Sequence, residues 1–158
     1  MPDDAMTDSD SRKRLLPPAF LGAGVLLMVA LHVVLPAWRV IPWPFNCTGA
    51  LLIVAGGVLN VWADRLFKVR RTTVKPFAPP AALVTHGPYR LSRHPMYLGM
   101  AAAVLGLAVI LGTATPFLVV PIFVWVLAAK FIPVEERAME RTFGQAYRDY
   151  RQRVRRWL

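Results

Sequence analysis

Four apolar stretches, residues 17–38, 45–67, 97–112 and 115–132, leave this chain little choice of fold. A bilayer core of about 30 Å is crossed by about 20 apolar residues at a rise of about 1.5 Å each. The first two stretches meet that requirement. The last two are slightly short, and a chargeless turn, Gly112-Thr113-Ala114-Thr115-Pro116, joins them into an antiparallel helical hairpin. With 56% hydrophobic residues, the composition matches a membrane protein and exceeds what a water-soluble core requires. The expected fold is all-α and polytopic, with about four transmembrane helices and an amphipathic helix after the last span.

Charge sets the topology. Of the 19 Lys and Arg residues, only Arg39 falls in a loop assigned to the outer side, so both termini are expected to be cytoplasmic. The net charge of +10 belongs to segments flanking hydrophobic spans. That placement suits anionic lipid headgroups, and nucleic acid is excluded as a partner. Residues 1–14 are polar, carry Asp3, Asp4, Asp8 and Asp10, and are expected to form a disordered tail; residues 15–158 are expected to form one membrane-embedded domain. Arg12-Lys13-Arg14 resembles the basic start of a signal peptide, but the following apolar run is long and shows no small-residue cleavage site, which favours a retained first span.

Several residues have structural readings. Trp38, Trp43 and Phe45 suit an aromatic belt at headgroup level. Gly49, Gly56 and Gly57 in the second span, and Gly99 and Gly106 in the third, are small enough for close helix approach, and Pro121 suggests a kink. His32 reads as a histidine near the outer interface or one hydrogen-bonded to a neighbouring helix. Cys47 is the only cysteine, so an intrachain disulfide and a cysteine-based zinc site are excluded; no metal site is expected.

One segment departs from this pattern. His86-Gly87-Pro88-Tyr89-Arg90-Leu91-Ser92-Arg93-His94-Pro95-Met96-Tyr97-Leu98-Gly99 is basic and interrupted twice by proline, yet it lies between apolar stretches. Proline lacks a backbone N–H and disfavours helix in the residue before it. In so apolar a chain such a segment belongs at the membrane surface or around a wet cavity. Beyond Pro133, Met139, Phe143, Ala146, Tyr147, Tyr150, Val154 and Trp157 recur at helical spacing, with Arg141, Arg148, Arg151 and Arg155 opposite. This predicts a helix starting near Pro133 and lying on the anionic inner surface, with Glu135 and Glu136 in its positive first turn.

The Gly-Pro-Tyr-Arg-x-x-Arg-His-Pro-x-Tyr-x-Gly run at residues 87–99 resembles the signature of the isoprenylcysteine carboxyl methyltransferases, membrane enzymes related to the phospholipid methyltransferases. Glu135-Glu136 followed by Phe143-Gly144, Tyr147, Tyr150 and Val154 is similar to the family's second block. The resemblance is close from about Leu83 onward and holds only in pattern upstream. It implies methyl transfer from S-adenosyl-L-methionine to a lipophilic or lipid-linked acceptor at the cytoplasmic face. Glu135 matches the glutamate that binds the cofactor, His94, Pro95, Met96 and Tyr97 match the contacting tetrad, and Tyr89, Leu83 and Val84 match further contacts. Each also has a plainer reading: Glu135 as a helix-start carboxylate, His94 as a capped interfacial histidine, Tyr97 as a belt tyrosine, and Leu83 and Val84 as interfacial packing. No acid or base triad is visible, and methyl transfer requires mainly alignment and exclusion of water.

The chain departs from the prenylcysteine enzymes where a substrate arginine aligns with Phe131, beside Lys130. Phenylalanine cannot clamp a carboxylate, so amine, hydroxyl, thiol and carboxylate acceptors all remain open. Glu136 is expected to pair with Arg90 or Arg93. Two rival readings are an NADPH-dependent membrane reductase of related architecture and a non-catalytic scaffold whose arginine-rich helix binds lipid.

Overall fold

The computed structural model describes residues 17–69 and 82–158. The acidic tail and the loop carrying Lys75 and Pro76 lie outside the described residues. Helix α1 spans Pro17–Val34 and α2 spans Gly49–Val69, the latter preceded by a 3₁₀ turn at Phe45–Thr48. A second 3₁₀ turn, Gly87–Arg90, leads to α3, Pro95–Leu111. Helix α4, Ala114–Val126, passes through a π-helical turn, Leu127–Phe131, into α5, Ile132–Phe143, and α6 covers Gln145–Arg153. Three of these stretches, Pro17–Val34, Phe45–Lys68 and Ala114–Phe143, are long and apolar enough to cross a membrane, and Pro95–Leu111 is a shorter apolar helix.

Helix ends follow local chemistry. Helix α1 stops at Val34, short of the expected Trp38, because Leu35 precedes Pro36 and is biased toward extended backbone. Helix α3 has Pro95 in its first turn, where the missing N–H costs no bond, and closes on Gly112 at φ 70°, the left-handed position that favours glycine.

Pro133 falls in the first turn of α5, as expected, but α5 is not a separate helix: Ala114–Phe143 runs as one helix of 30 residues. The reason lies just upstream, where the Ile132 N–H reaches back to the Leu127 carbonyl, five residues away, instead of four. This widened turn takes up the register shift that a proline in a helix interior requires. The amphipathic helix is also divided. Gly144, at φ 52°, ends α5, and Val154 turns extended after α6. On the expected apolar face Tyr147 and Tyr150 are buried, and Met139, Phe143, Val154 and Trp157 are half-buried, whereas Ala146 is exposed because it lies just past the break.

Helix α3 packs on α2 along its length and also touches α1 and α4. Glycines set the α2–α3 approach. A Cβ at Gly49 would overlap the Gly106 carbonyl and one at Gly56 would overlap the Gly99 carbonyl, and the reciprocal additions clash likewise. Small residues in register bring backbones this close where apolarity alone offers no drive. Gly57 does not take part, since nothing lies within 4 Å of its Cβ position. Met28, Val104, Ala108, Val119, Phe123 and Leu127 form the buried centre between α1, α3 and α4. Leu26, Val33, Leu51, Val54, Val58, Ile122 and Trp125 point outward and exposed, as lipid-facing side chains do.

The two short connections at one end pair with each other. The Val40 and Ile41 N–H groups donate to the Gly112 carbonyl at 2.8 and 3.1 Å, and the Ala114 N–H donates to Trp38 at 3.1 Å. His32 Nδ1 meets Thr113 Oγ1 at 2.8 Å, in keeping with its interfacial reading. The Thr115 hydroxyl donates to the Leu35 carbonyl at 2.7 Å, closing the end of α1. Trp38, Trp43 and Phe45 are exposed around this end.

Candidate functional site

At the opposite end, the proline-broken segment folds back on itself. Gly87, at φ 62°, admits the turn, and the Leu91 and Ser92 N–H groups both donate to the Pro88 carbonyl. The Ser92 hydroxyl accepts from the His94 N–H at 3.1 Å and donates to the Arg156 carbonyl at 3.1 Å. The Arg93 N–H donates to the Arg155 carbonyl at 3.0 Å. Backbone groups that Pro95 prevents from entering a helix are therefore satisfied by the strand-like segment after α6.

The side chains of this loop meet the charged part of the long helix. The apolar portion of that helix ends at Ile132; beyond it come Glu135 and Glu136. Tyr97 donates a short hydrogen bond to Glu135 Oε1, and the His94 ring stacks on Tyr97 with centroids 5.7 Å apart. His94 lies between two carboxylates, with Nδ1 3.5 Å from Glu135 Oε2 and Nε2 3.5 Å from Glu136 Oε1. Burial alone would lower the His94 pKa, but Glu135 and Glu136 outweigh it and raise the pKa above its usual value.

Glu136, 7% exposed, is held on several sides. Arg156 grips it with both prongs, Nε to Oε1 at 3.1 Å and Nη2 to Oε2 at 2.6 Å. Arg93 Nη1 lies 3.1 Å from Oε1, near enough to attract yet not aligned to bond. Arg93 Nε and Nη1 and His94 Nε2 are consequently buried with no hydrogen-bond partner. Such groups are costly unless something engages them. Two carboxylates face Arg93, Arg156 and His94, beside donors that remain unengaged.

A smaller core lies against this cluster. Val84 and Tyr89 pack with Ala63 and Phe67 near the end of α2, and Leu66 and Met96 cover them. Phe67 meets the Tyr89 ring edge to face at 5.3 Å, and the Tyr150 hydroxyl donates to the Tyr89 carbonyl at 2.7 Å. A polar cavity is lined by Thr85, Arg90, Tyr150, Arg153 and Val154. A second, apolar groove follows the outer face of α2 past Gly57 and Trp62 to Arg65. Neither is lined by Glu135 or His94.

Among the residues singled out from sequence, His94, Tyr97 and Glu135 are in mutual contact. Pro95 is buried as the first residue of α3. Val84, Tyr89 and Met96 form the adjoining apolar wall, while Leu83 is half-buried and belongs to neither group. Glu136 pairs with Arg93, and among the described residues Arg90 forms no ion pair with it. Phe131 stacks edge to face on Phe20 at 5.2 Å, filling its position with core, and Lys130 is exposed. Sequence reasoning missed Ser92 and Arg156. Arg156 follows the arginines read as the polar helix face, and the extended turn at Val154 brings its guanidinium onto Glu136.

A family model described as phospholipid methyltransferase matches residues 45–146. Protein-S-isoprenylcysteine O-methyltransferase A of Arabidopsis thaliana is 39% identical over 120 residues, covering 71% of this chain and 58% of that protein. A probable protein-S-isoprenylcysteine O-methyltransferase of Oryza sativa subsp. indica is 32% identical over 117 residues, covering 71% of this chain and 60% of its own length. The chain thus spans well under two thirds of these relatives. Among solved structures, a eukaryotic intramembrane Ras methyltransferase, isoprenylcysteine carboxyl methyltransferase, superposes with a TM-score of 0.67 at 26% identity, covering 95% of this chain and 55% of the other.

Proposed function

Because the chain belongs to the phospholipid methyltransferase family, we propose that it transfers a methyl group from S-adenosyl-L-methionine to a lipophilic or lipid-linked acceptor at the cytoplasmic membrane face. The observation that carries this reading is a half-exposed carboxylate, Glu135, set beside buried donors that have no partner, Arg93 Nε and Nη1 and His94 Nε2. An amino acid end, ammonium plus carboxylate, is the chemical complement of that pairing. The residues present therefore fit the group.

Bound S-adenosyl-L-methionine supplies an electrophilic methyl on a sulfonium. Glu135 would accept the ammonium, with Tyr97 fixing its carboxylate from the other side. His94 and Arg93 would donate to the carboxylate. The wall of Val84, Tyr89 and Met96, with Pro95 and Leu83 nearby, would give the remainder of the molecule an apolar surface and keep water out. No side chain need move a proton for the transfer itself; orientation of donor and acceptor carries the rate.

The acceptor's class follows from its surroundings. Helices α1, α2 and α4 expose apolar side chains to the bilayer, so a lipophilic acceptor reaches the site sideways. Phe131 is spent on packing against Phe20, which leaves a prenylcysteine carboxylate without a guanidinium at that position. Basic residues concentrate at the site's end of the bundle, supporting its cytoplasmic orientation.

Titration calorimetry of the detergent-solubilised protein with S-adenosylhomocysteine tests the reading. Saturable binding is expected for wild type and strong weakening for Glu135→Ala and His94→Ala. Absence of binding to a folded wild type overturns it, and competition by NADPH would turn the assignment toward a reductase.

A further inference from the structure

The segment after α6 does more than end the fold. Three kinds of contact converge on it within a few residues. Its main chain pairs with the His94 loop, Arg155 O with the Arg93 N–H and Arg156 O with the Ser92 hydroxyl. Its Arg156 side chain bonds both oxygens of Glu136. Its Trp157 packs on the main core. The loop and the long helix are thereby tied together by an extended segment that belongs to neither.

We propose that residues 154–157 form a strap, and that Arg156 is a positioning residue which occupies Glu136 so that the donors of Arg93 and His94 stay free for the carboxylate of the bound donor molecule. This rests on the methyltransferase reading. The physical reason is competition for one acceptor. Glu136 Oε1 has Arg93 Nη1 at 3.1 Å and His94 Nε2 at 3.5 Å, both within a small rotation of a hydrogen bond. While the Arg156 fork holds Oε1 and Oε2, it fixes the orientation of that carboxylate short of aligned bonds to either group. Remove the fork and Glu136 turns to the nearest orphaned N–H groups, which are the ones a ligand carboxylate would use. Arg156 thus acts through Glu136, at a distance from the ligand. A lysine could neutralise Glu136 but could not occupy both oxygens at once.

The test compares two ligands on the folded protein in detergent: S-adenosylhomocysteine and its decarboxylated analogue, which keeps the ammonium and adenosine and lacks the carboxylate. Wild type is expected to bind S-adenosylhomocysteine more tightly. Arg156→Ala is expected to weaken S-adenosylhomocysteine by about tenfold, the effect of losing one charge-assisted contact, and to leave the analogue unchanged. Arg156→Lys is expected to fall between. Ser92→Ala, which loosens the strap's main-chain anchor while keeping every charge, gives a smaller loss with the same selectivity and serves if Arg156→Ala does not fold. Equal weakening of both ligands means a merely structural strap and overturns the proposal, as does unchanged S-adenosylhomocysteine binding in Arg156→Ala. Failure of wild type to bind either ligand removes the methyltransferase reading and this one with it; wild-type binding with unselective losses removes only this one.

Discussion

The two ends of the bundle each hold a half-buried histidine and treat it differently. At one end His32 meets a single neutral hydroxyl, Thr113, and the backbone groups around it are paired between the two connections. At the other end His94 lies between Glu135 and Glu136, with Arg93 and Arg156 around them, and three donors of the cluster have no partner. The first arrangement joins neutral groups and closes the bundle, with one amide oxygen, Asn46 Oδ1, left buried without a partner beside it. The second is held in place by an extended segment from elsewhere in the chain and still leaves hydrogen-bonding capacity unused. Unused donors in a buried charged cluster mark where a ligand belongs; a neutral end whose orphan is one amide oxygen, Asn46 Oδ1, marks scaffold.

Removing Glu136 should separate the ends most sharply. Glu136→Ala leaves the buried Arg93 guanidinium without its carboxylate, and breaking a buried pair from one side costs about 3 kcal/mol or more. Thermal unfolding in detergent should show a large drop in midpoint. A drop no larger than that of Thr115→Val would mean that the charged end is no more demanding than the neutral one.

Next in size is the exchange of histidines. His94→Ala should weaken S-adenosylhomocysteine by at least about tenfold, whereas His32→Ala should leave affinity unchanged and reduce only stability. Equal effects on affinity would erase the distinction between site and scaffold.

Much of the scaffold could be read in advance, for physical reasons that differ from element to element. Apolar stretches report spans because the helical rise and the bilayer thickness are both fixed. Gly49, Gly56, Gly99 and Gly106 were legible as small residues, but their pairing depends on the register between α2 and α3, and Gly57 carries the same sequence signal without the contact. The unbroken passage through Pro133 was illegible because a π-helical turn at Leu127–Phe131 has no composition of its own. At the site, proline placement and the resemblance pointed to His94, Tyr97 and Glu135. Arg156 was hidden because its contact with Glu136 depends on the extended turn at Val154, which helical periodicity does not report.

Acidity offers a smaller, graded contrast. Because Glu135 and Glu136 raise the His94 pKa against the pull of burial, the folded protein holds that proton more tightly than the unfolded chain does. The resulting stabilisation is fully present below about pH 6.5, the ordinary histidine value, and is lost as pH rises through the higher folded-state value. Unfolding midpoints measured across neutral pH should therefore decline with rising pH in wild type, and the decline should flatten in His94→Gln. A wild-type slope that survives this substitution would assign it to another group.

The smallest expected effect tests the quiet end. Thr113→Val keeps the shape of the side chain and removes the hydroxyl that meets His32. The backbone bridge between Arg39 and Thr113 should survive, since its bonds are made by main-chain atoms. The loss should be that of one ordinary hydrogen bond, about 1 kcal/mol, and His32 lies near the outer interface where water can replace the hydroxyl. Affinity for S-adenosylhomocysteine should not change, because no charged group links this end to the cluster around His94. A change in affinity would show that the two ends are coupled through α3, the helix that joins Pro95 at the site to Gly112 at the paired connections, and the quiet end would then be part of the machinery.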